Sequence, residues 1–197
     1  MRVIAGTAKG RTLKSPPEST RPITDRVKEN LFNILGTDVI DANVLDLFAG
    51  AGSVGIEALS RGAKHATFVE FNDDALKTIR ANLTLTKLIG KATVVRENVY
   101  RFLKKPPAVP HEHSGSPSSA HVSTPYDLIY VAPPQYKEMW KETLKLLDAR
   151  PQWLSENGIL VVQIHPVEFE ELELKSFVLD DERKYGSTLL CFYVKQK

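Results

Sequence analysis

From residue 43 onward the chain alternates short apolar runs with amphipathic stretches. Val44 to Phe48, Ala66 to Glu70, Ala92 to Arg96, Tyr126 to Val131 and Gly158 to Ile164 are brief, rich in β-branched and aromatic residues, and read as strands. Between them, helices are predicted from the glycine-rich loop through about Arg61, over Asp74 to Leu83, and over Lys137 to Leu147. Strand and helix in turn predict an α/β fold, a mostly parallel sheet with helices on both faces. The end of the chain breaks the rhythm. Arg183 to Tyr185 and Ser187 to Val194 are strand-like and separated only by Gly186, a link too short for a crossover, so these strands should pair antiparallel.

The first forty residues follow another pattern. Arg2 to Ala5 and Arg11 to Lys14 flank a turn with glycine at each end, Gly6 and Gly10, and predict a hairpin. Thr24 can then cap a helix whose first turn carries Asp25, with Val27, Leu31, Ile34 and Leu35 on one face and Gly36 as the stop. The chain therefore divides into an N-terminal arm, residues 1–40, and a body, residues 41–197. Residues 104–125 hold five prolines, several serines and almost no large apolar side chains, and predict a flexible insertion. His111, His113 and His121 fall there without cysteine or paired carboxylates to complete a site, so no metal is expected.

Charge sharpens the division. The net charge of +2 conceals an arm with seven bases over residues 1–30 (Arg2, Lys9, Arg11, Lys14, Arg21, Arg26, Lys28) and three acids (Glu18, Asp25, Glu29), leaving +4 there and −2 elsewhere. Such an arm suits a polyanion held at one end of the molecule, although a solvated charged surface would read the same way. At 197 residues and 42% hydrophobic content the chain can bury a substantial core. No apolar run approaches membrane-spanning length, Met1 opens no signal-peptide pattern, and the single Cys191, set in an apolar run, predicts a buried thiol in a reducing compartment. No membrane association is expected.

The chemistry concentrates in Val44 to Gly55. Gly50, Gly52 and Gly55 satisfy G-x-G-x-x-G directly after a strand and before a helix, which lets a ligand approach the backbone closely. The pattern alone serves nicotinamide enzymes equally well. Glu70 ends the second strand, where a carboxylate can accept from ribose hydroxyls. Asp46 discriminates: beside the loop it would repel a pyrophosphate, whereas it attracts the ammonium and sulfonium of S-adenosylmethionine. Asn98, after the third strand, can meet the adenine edge or be an ordinary turn residue, and Phe71 can lie against the adenine or simply pack.

The fourth strand runs into Ala132-Pro133-Pro134-Gln135-Tyr136. In an open α/β sheet, ligands gather outside the carboxyl ends of the strands, so this loop should face the glycine loop. Two prolines fix φ and remove two N–H donors, leaving rigid carbonyl acceptors. Acceptors are what an exocyclic amine needs, since they orient its hydrogens and free its lone pair for attack on a methyl group.

Taken together these segments resemble the bacterial-type 16S rRNA guanine-N2 methyltransferases of the RsmD family. The matching residues are Arg2 to Gly6, Gly10-Arg11, Arg21 to Asn33, Asp46 to Gly55, Gly62-Ala63, Glu70, Arg101 to Leu103 and Tyr185 to Thr188. The resemblance implies a Rossmann-like class I methyltransferase of seven strands with a hairpin-and-helix arm that helps to hold RNA. It implies S-adenosylmethionine as cofactor and, as partner, small-subunit rRNA or an assembling small ribosomal subunit. The expected cofactor residues are Asp46, Phe48, Gly50, Gly52, Glu70, Phe71 and Asn98. Those expected at the reacting amine are Ala132, Pro133, Pro134 and Tyr136, and those on RNA are Arg2, Lys9, Arg11, Arg21 and Arg26. A monomer is expected.

Two departures stand out. The family motif is Asp/Asn-Pro-Pro-Phe/Tyr, whereas this chain has Ala132 for the acid and Gln135 for the aromatic, with Tyr136 one place later; the family also commonly has Asp where Asn98 stands. The Ala-Pro-Pro-Gln-Tyr-Lys form resembles the cyanobacterial and plastid branch, which implies a chloroplast stroma if the source is a plant and a cytoplasm otherwise. An inactive RNA-binding relative and a methyltransferase for another nucleic-acid amine remain as alternatives.

Overall fold

The computed structural model describes residues 1–15, 23–107 and 125–197. Five helices and seven strands carry the body and the end of the arm: α1 (Asp25–Leu35), β1 (Asn43–Leu47), α2 (Ser53–Ser60), β2 (His65–Glu70), α3 (Asp73–Thr86), β3 (Ala92–Arg96), α4 (Val99–Leu103), β4 (Tyr126–Val131), α5 (Met139–Asp148), β5 (Leu154–Ile164), β6 (Phe177–Tyr185) and β7 (Thr188–Lys195). One seven-stranded sheet has the order β3-β2-β1-β4-β5-β7-β6. The first five strands pair parallel; β7 joins β5 antiparallel and β6 joins β7 antiparallel. The order reverses between β1 and β4, which opens a crevice at their carboxyl ends.

Two apolar layers sandwich this sheet. On one face Val44, Phe68 and Leu128 pack with Ile56, Leu59 and Ile79 of α2 and α3; on the other Leu45, Val69 and Ile129 pack with Phe102, Trp140 and Leu144 of α4 and α5. Gly55 belongs to the first layer for a steric reason. A Cβ there would stand 2.4 Å from the Phe68 ring, so only glycine lets α2 lie this close to β2.

The arm belongs to the same core. Val3, Ala8, Leu13, Ile23, Val27 and Leu31 are buried in one cluster with Val44 and Ile56, so the boundary at residue 40 divides sequence and not packing. The hairpin forms through Val3 N–H to Arg11 carbonyl and Gly10 N–H to Val3 carbonyl, both 2.9 Å. Its turn rests on the end of α2 at Gly6, where a Cβ would come within 1.7 Å of the Ser60 carbonyl oxygen. Beneath it lies a charged knot. The buried Glu57 carboxylate accepts from the N–H groups of Ile4 (2.8 Å) and Ala5 (3.0 Å), from Arg61 (2.8 Å), and pairs with Lys28 at 3.4 Å.

Thr24 caps α1 by accepting from Val27 N–H, and Gly36 ends it, as the sequence predicts. The buried face differs: it is Val27, Lys28, Leu31, Phe32 and Leu35, with Ile34 turned out to 41% exposure. Lys28 can be buried where Ile34 is not because its ammonium has partners there, the buried Glu57 carboxylate and the Arg2 carbonyl at 2.6 Å.

Candidate active site

The carboxyl ends of β1, β4 and β5 and the inner edge of the arm enclose a cleft of about 330 Å³. Asp46, Phe48, Ala49 and Ser53 line it from the first strand and glycine loop, Tyr130 and Ala132 to Lys137 from the fourth, Gln163 from the fifth, and Met1 and Ile23 from the arm. The glycine loop and the proline pair, about 80 residues apart in sequence, therefore share one cleft, as the topology predicts.

Asp46 is its electrostatic centre. It is 2% exposed, and its Oδ2 accepts from Gly55 N–H at 3.0 Å, a bond that ties the loop's far end to β1. Burial pushes its carboxyl up to about 8, opposed by the Gly55 bond and assisted by the charge of Glu70. A cation placed beside such a buried acid would favour its ionised form. Its cross-strand neighbour Tyr130 is held well above the usual phenol range, by burial first and then by Asp46, and donates its hydroxyl to Gln163 Oε1 at 2.5 Å. The loop itself is left-handed at Phe48 (φ 60°), Gly50 (55°) and Gly52 (74°). For Phe48, a residue with a side chain to accommodate, that conformation is a local strain, of the kind that collects at ligand sites.

Glu70 braces the loop. Its Oε2 accepts from Gly50 N–H at 2.9 Å, and its Oε1 accepts from the N–H groups of Phe71 (2.8 Å) and Asn72 (2.9 Å). A carboxylate has about four acceptor positions, so one remains for a ligand hydroxyl. Asn98 spends its Oδ1 capping α4, accepting from Tyr100 and Arg101 N–H at 3.0 and 3.3 Å, which leaves its amide hydrogens as the groups to meet a base edge. Phe71 stands 70% exposed. Glu70, Phe71 and Asn98 lie outside the cleft, beyond it along the ends of β2 and β3.

At the other wall Ala132 is half-buried and Pro133 buried, and neither carbonyl accepts a backbone hydrogen bond among the described residues. Tyr136 is 65% exposed with a left-handed φ of 61°. It is held from outside: its N–H donates to Glu168 Oε1 at 2.7 Å and its ring lies 5.5 Å from that of His165.

The bases expected on RNA are only partly gathered. Arg2, Lys9 and Arg26 border a second hollow of about 540 Å³ with Asp25 and Glu29, and Arg11 is exposed beside them on the hairpin. Arg2 is paired with Asp25 at 3.3 Å, and Lys28 is withdrawn into the core, where burial lowers its pKa. The arm's exposed positive charge is thus smaller than its residue count. Arg21 lies outside the described residues, as do His111, His113 and His121.

Sequence reasoning passes over Asn82, Glu57, Gln163 and Glu168. Asn82 and Glu57 are detectable as polar residues on otherwise apolar helix faces. Gln163 and Glu168 carry no local signal, because only the β5 register brings Gln163 to the cleft and only the turn after it brings Glu168 to Tyr136.

The sheet order, the glycine loop clasped to a buried acid and the carbonyl-rich loop facing it define the class I, S-adenosylmethionine-dependent methyltransferase architecture. The chain belongs to the family described as Conserved hypothetical protein 95, matched over residues 1–194, which is the RsmD-type family. It is 37% identical over 198 residues to the putative rRNA methyltransferase YlbH of Bacillus subtilis, covering 100% of both chains. It is 36% identical over 164 residues to Ribosomal RNA small subunit methyltransferase D of Escherichia coli K12, covering 83% of this chain and 74% of that one. The solved structure of yhhF from Escherichia coli superposes with a TM-score of 0.82 at 31% identity, covering 100% of this chain and 98% of the other. No helix among the described residues is long and apolar enough to cross a membrane.

Proposed function

We propose that this protein transfers a methyl group from S-adenosylmethionine to the N2 amine of a guanine in small-subunit rRNA. One observation carries the reading: the buried acid Asp46 lines a single cleft with Ala132 and Pro133, whose carbonyls accept no backbone hydrogen bond among the described residues. The names of relatives at 36% and 34% identity, Ribosomal RNA small subunit methyltransferase D of Escherichia coli and of Haemophilus influenzae, support the substrate.

The residues present fit the cofactor. Asp46 would face its cationic end, Gly50 and Gly52 would let it approach the backbone, and Glu70 has one acceptor position left for a ribose hydroxyl. Phe71 and the Asn98 amide would meet the adenine, and Phe48 would shape the loop beneath. Bound there, S-adenosylmethionine supplies an electrophilic methyl on a positively charged sulfur.

The chain's own residues then do four things. The Ala132 and Pro133 carbonyl oxygens accept the two N2 hydrogens and turn the nitrogen lone pair inward. Pro134 fixes the loop so that these acceptors need not reorganise. Tyr136 offers its ring to the base, and Lys9, Arg11, Arg21 and Arg26, with Arg2, draw in the phosphates. Transfer leaves N2 a strongly acidic ammonium, which loses a proton directly to solvent without a side-chain base. Ala132 favours one second reading, a relative that binds cofactor and RNA but transfers nothing. The Ala-Pro-Pro-Gln-Tyr-Lys form supports a cyanobacterial or plastid setting, and we read the working unit as a monomer.

Mass-spectrometric mapping of small-subunit rRNA from a strain deleted for this gene tests the assignment. One N2-methylguanine should disappear and return on complementation with the wild-type gene but not with Asp46→Ala. Loss of a methyl from another base, or no loss, overturns it.

A further inference from the structure

Beside the methyl-transfer cleft lies a separate hollow of about 330 Å³ that the proposed reaction does not use. Gln135 and Gln163 border both cavities, so the two adjoin through a shared wall. The remaining lining is Thr24 and Val27 from the start of α1, and the turn Tyr185-Gly186-Ser187-Thr188 that joins β6 to β7.

Three features say what it takes. Among the described residues no charged side chain lines it, and this lining does not suit a phosphate. Three of its polar side chains are uncommitted: Gln135, Ser187 and Thr188 make no side-chain hydrogen bond among the described residues, and all three are half-buried. Half-buried donors and acceptors that converge on a hollow beside an apolar wall can bond a ligand in place of water. Gln163 has its Oε1 occupied by the Tyr130 hydroxyl, which leaves its amide hydrogens to donate. Val27 is buried and Tyr185 packs on the same core cluster, so together they supply an apolar wall. An uncharged flat ligand with edge donors and acceptors fits this lining, and single-stranded RNA presents such ligands as unstacked bases.

Resting on the reading of the first cleft as the target guanine's site, we propose that this second hollow is a subsite for the base of a nucleotide next to the target. Methylation at N2 requires a guanine with its Watson–Crick edge free, hence locally unpaired, and its neighbour needs somewhere to go. The turn Tyr185-Gly186-Ser187-Thr188 then reads context while Ala132 and Pro133 read the amine.

The test uses the full chain, without cofactor, and small-subunit rRNA fragments spanning the mapped guanine: one native, one abasic at the 5′ neighbour and one abasic at the 3′ neighbour. Affinity is read by fluorescence anisotropy. One abasic fragment should bind roughly tenfold more weakly than the native one, the scale on which removing a single recognised base weakens binding. That difference should vanish in Ser187→Ala/Thr188→Val and persist in Val178→Ala, an exposed position on β6 remote from the hollow. A native fragment that binds no more tightly than both abasic ones, or a double variant that keeps the difference, overturns the proposal. Failure of the methyl-transfer reading shows separately, as native fragment or subunit that is bound but never methylated.

Discussion

Asn82 holds Lys14 by both ends of its backbone, accepting from its N–H at 2.8 Å and donating to its carbonyl at 3.0 Å, and the same amide donates to the Ala51 carbonyl of the glycine loop at 3.0 Å. One fully buried side chain on α3 therefore fixes the end of the arm's hairpin and the middle of the cofactor loop against each other. Asn82→Ala should lower stability by about 1–3 kcal/mol for each polar group left unpaired and weaken both cofactor and RNA binding several-fold. Thr86→Val, buried on the same helix but bonded only within it, should cost stability and leave both affinities unchanged. Calorimetry on the two variants, well below their unfolding temperatures, separates these outcomes.

The carboxyl of Asp46 predicts a pH dependence with a definite sign. Its folded value of about 8 lies above the ordinary 3.8, so the ligand-free protein keeps a proton that the unfolded chain releases. The associated stability is complete below the ordinary carboxylate range and is lost as pH rises toward about 8. The unfolding temperature should fall across that window, and Asp46→Asn should flatten the fall. Cofactor affinity should run the other way, rising by up to about tenfold per pH unit until the carboxyl is ionised, with one proton released on binding. Calorimetry in buffers of different ionisation heat measures that proton directly.

For the arm, Lys9, Arg11 and Arg26 are exposed and uncoupled from any carboxylate among the described residues, whereas Arg2 is paired and Lys28 buried. Replacing Lys9, Arg11 and Arg26 with alanine should weaken RNA binding and reduce the slope of log affinity against log salt by about one for each phosphate no longer neutralised. Cofactor affinity should not change. An unaltered slope would make the arm a brace for α2 and nothing more.

Sequence reasoning locates β3 and β4 to the residue and the antiparallel end of the sheet in outline, because short β-branched runs leave little choice of conformation. It begins β5 and β6 late. Leu154 to Asn157 and Phe177 to Glu182 mix charge with apolar residues, as edge and emerging strands do, and their pairing comes from the neighbouring strand. The placement of Asp46, Glu70 and the proline pair at the carboxyl ends of β1, β2 and β4 is legible, because strand ends and glycine patterns point to a common edge. What Glu70 and Asn98 do there is not, since bracing the loop and capping α4 depend on backbone that only folding brings near. Lys28 counts as surface charge in the sequence because nothing in its neighbourhood announces Glu57, 29 residues on.

Tyr136 keeps an exposed ring on a strained backbone, held by Glu168 and His165. If that ring stacks on the target base, Tyr136→Ala should slow methyl transfer by about tenfold or more while cofactor affinity stays constant, and Tyr136→Phe should restore most of the rate. Glu168→Gln should give a smaller loss, through the loop alone. Single-turnover kinetics with saturating cofactor is the appropriate measurement, and a slowed Tyr136→Phe would point to the hydroxyl instead.

The central claim is that this cleft methylates guanine N2 although Ala132 stands where an acid is usual. The most direct measurement is transfer of tritiated methyl from S-adenosylmethionine to small-subunit RNA, or to small subunits lacking the modification, by the purified protein. Label should appear in N2-methylguanosine, at a rate reduced about 10²–10³-fold or less by the missing acceptor, and be abolished by Asp46→Ala. Cofactor binding with no label in either substrate would contradict it and leave a protein that binds RNA without altering it.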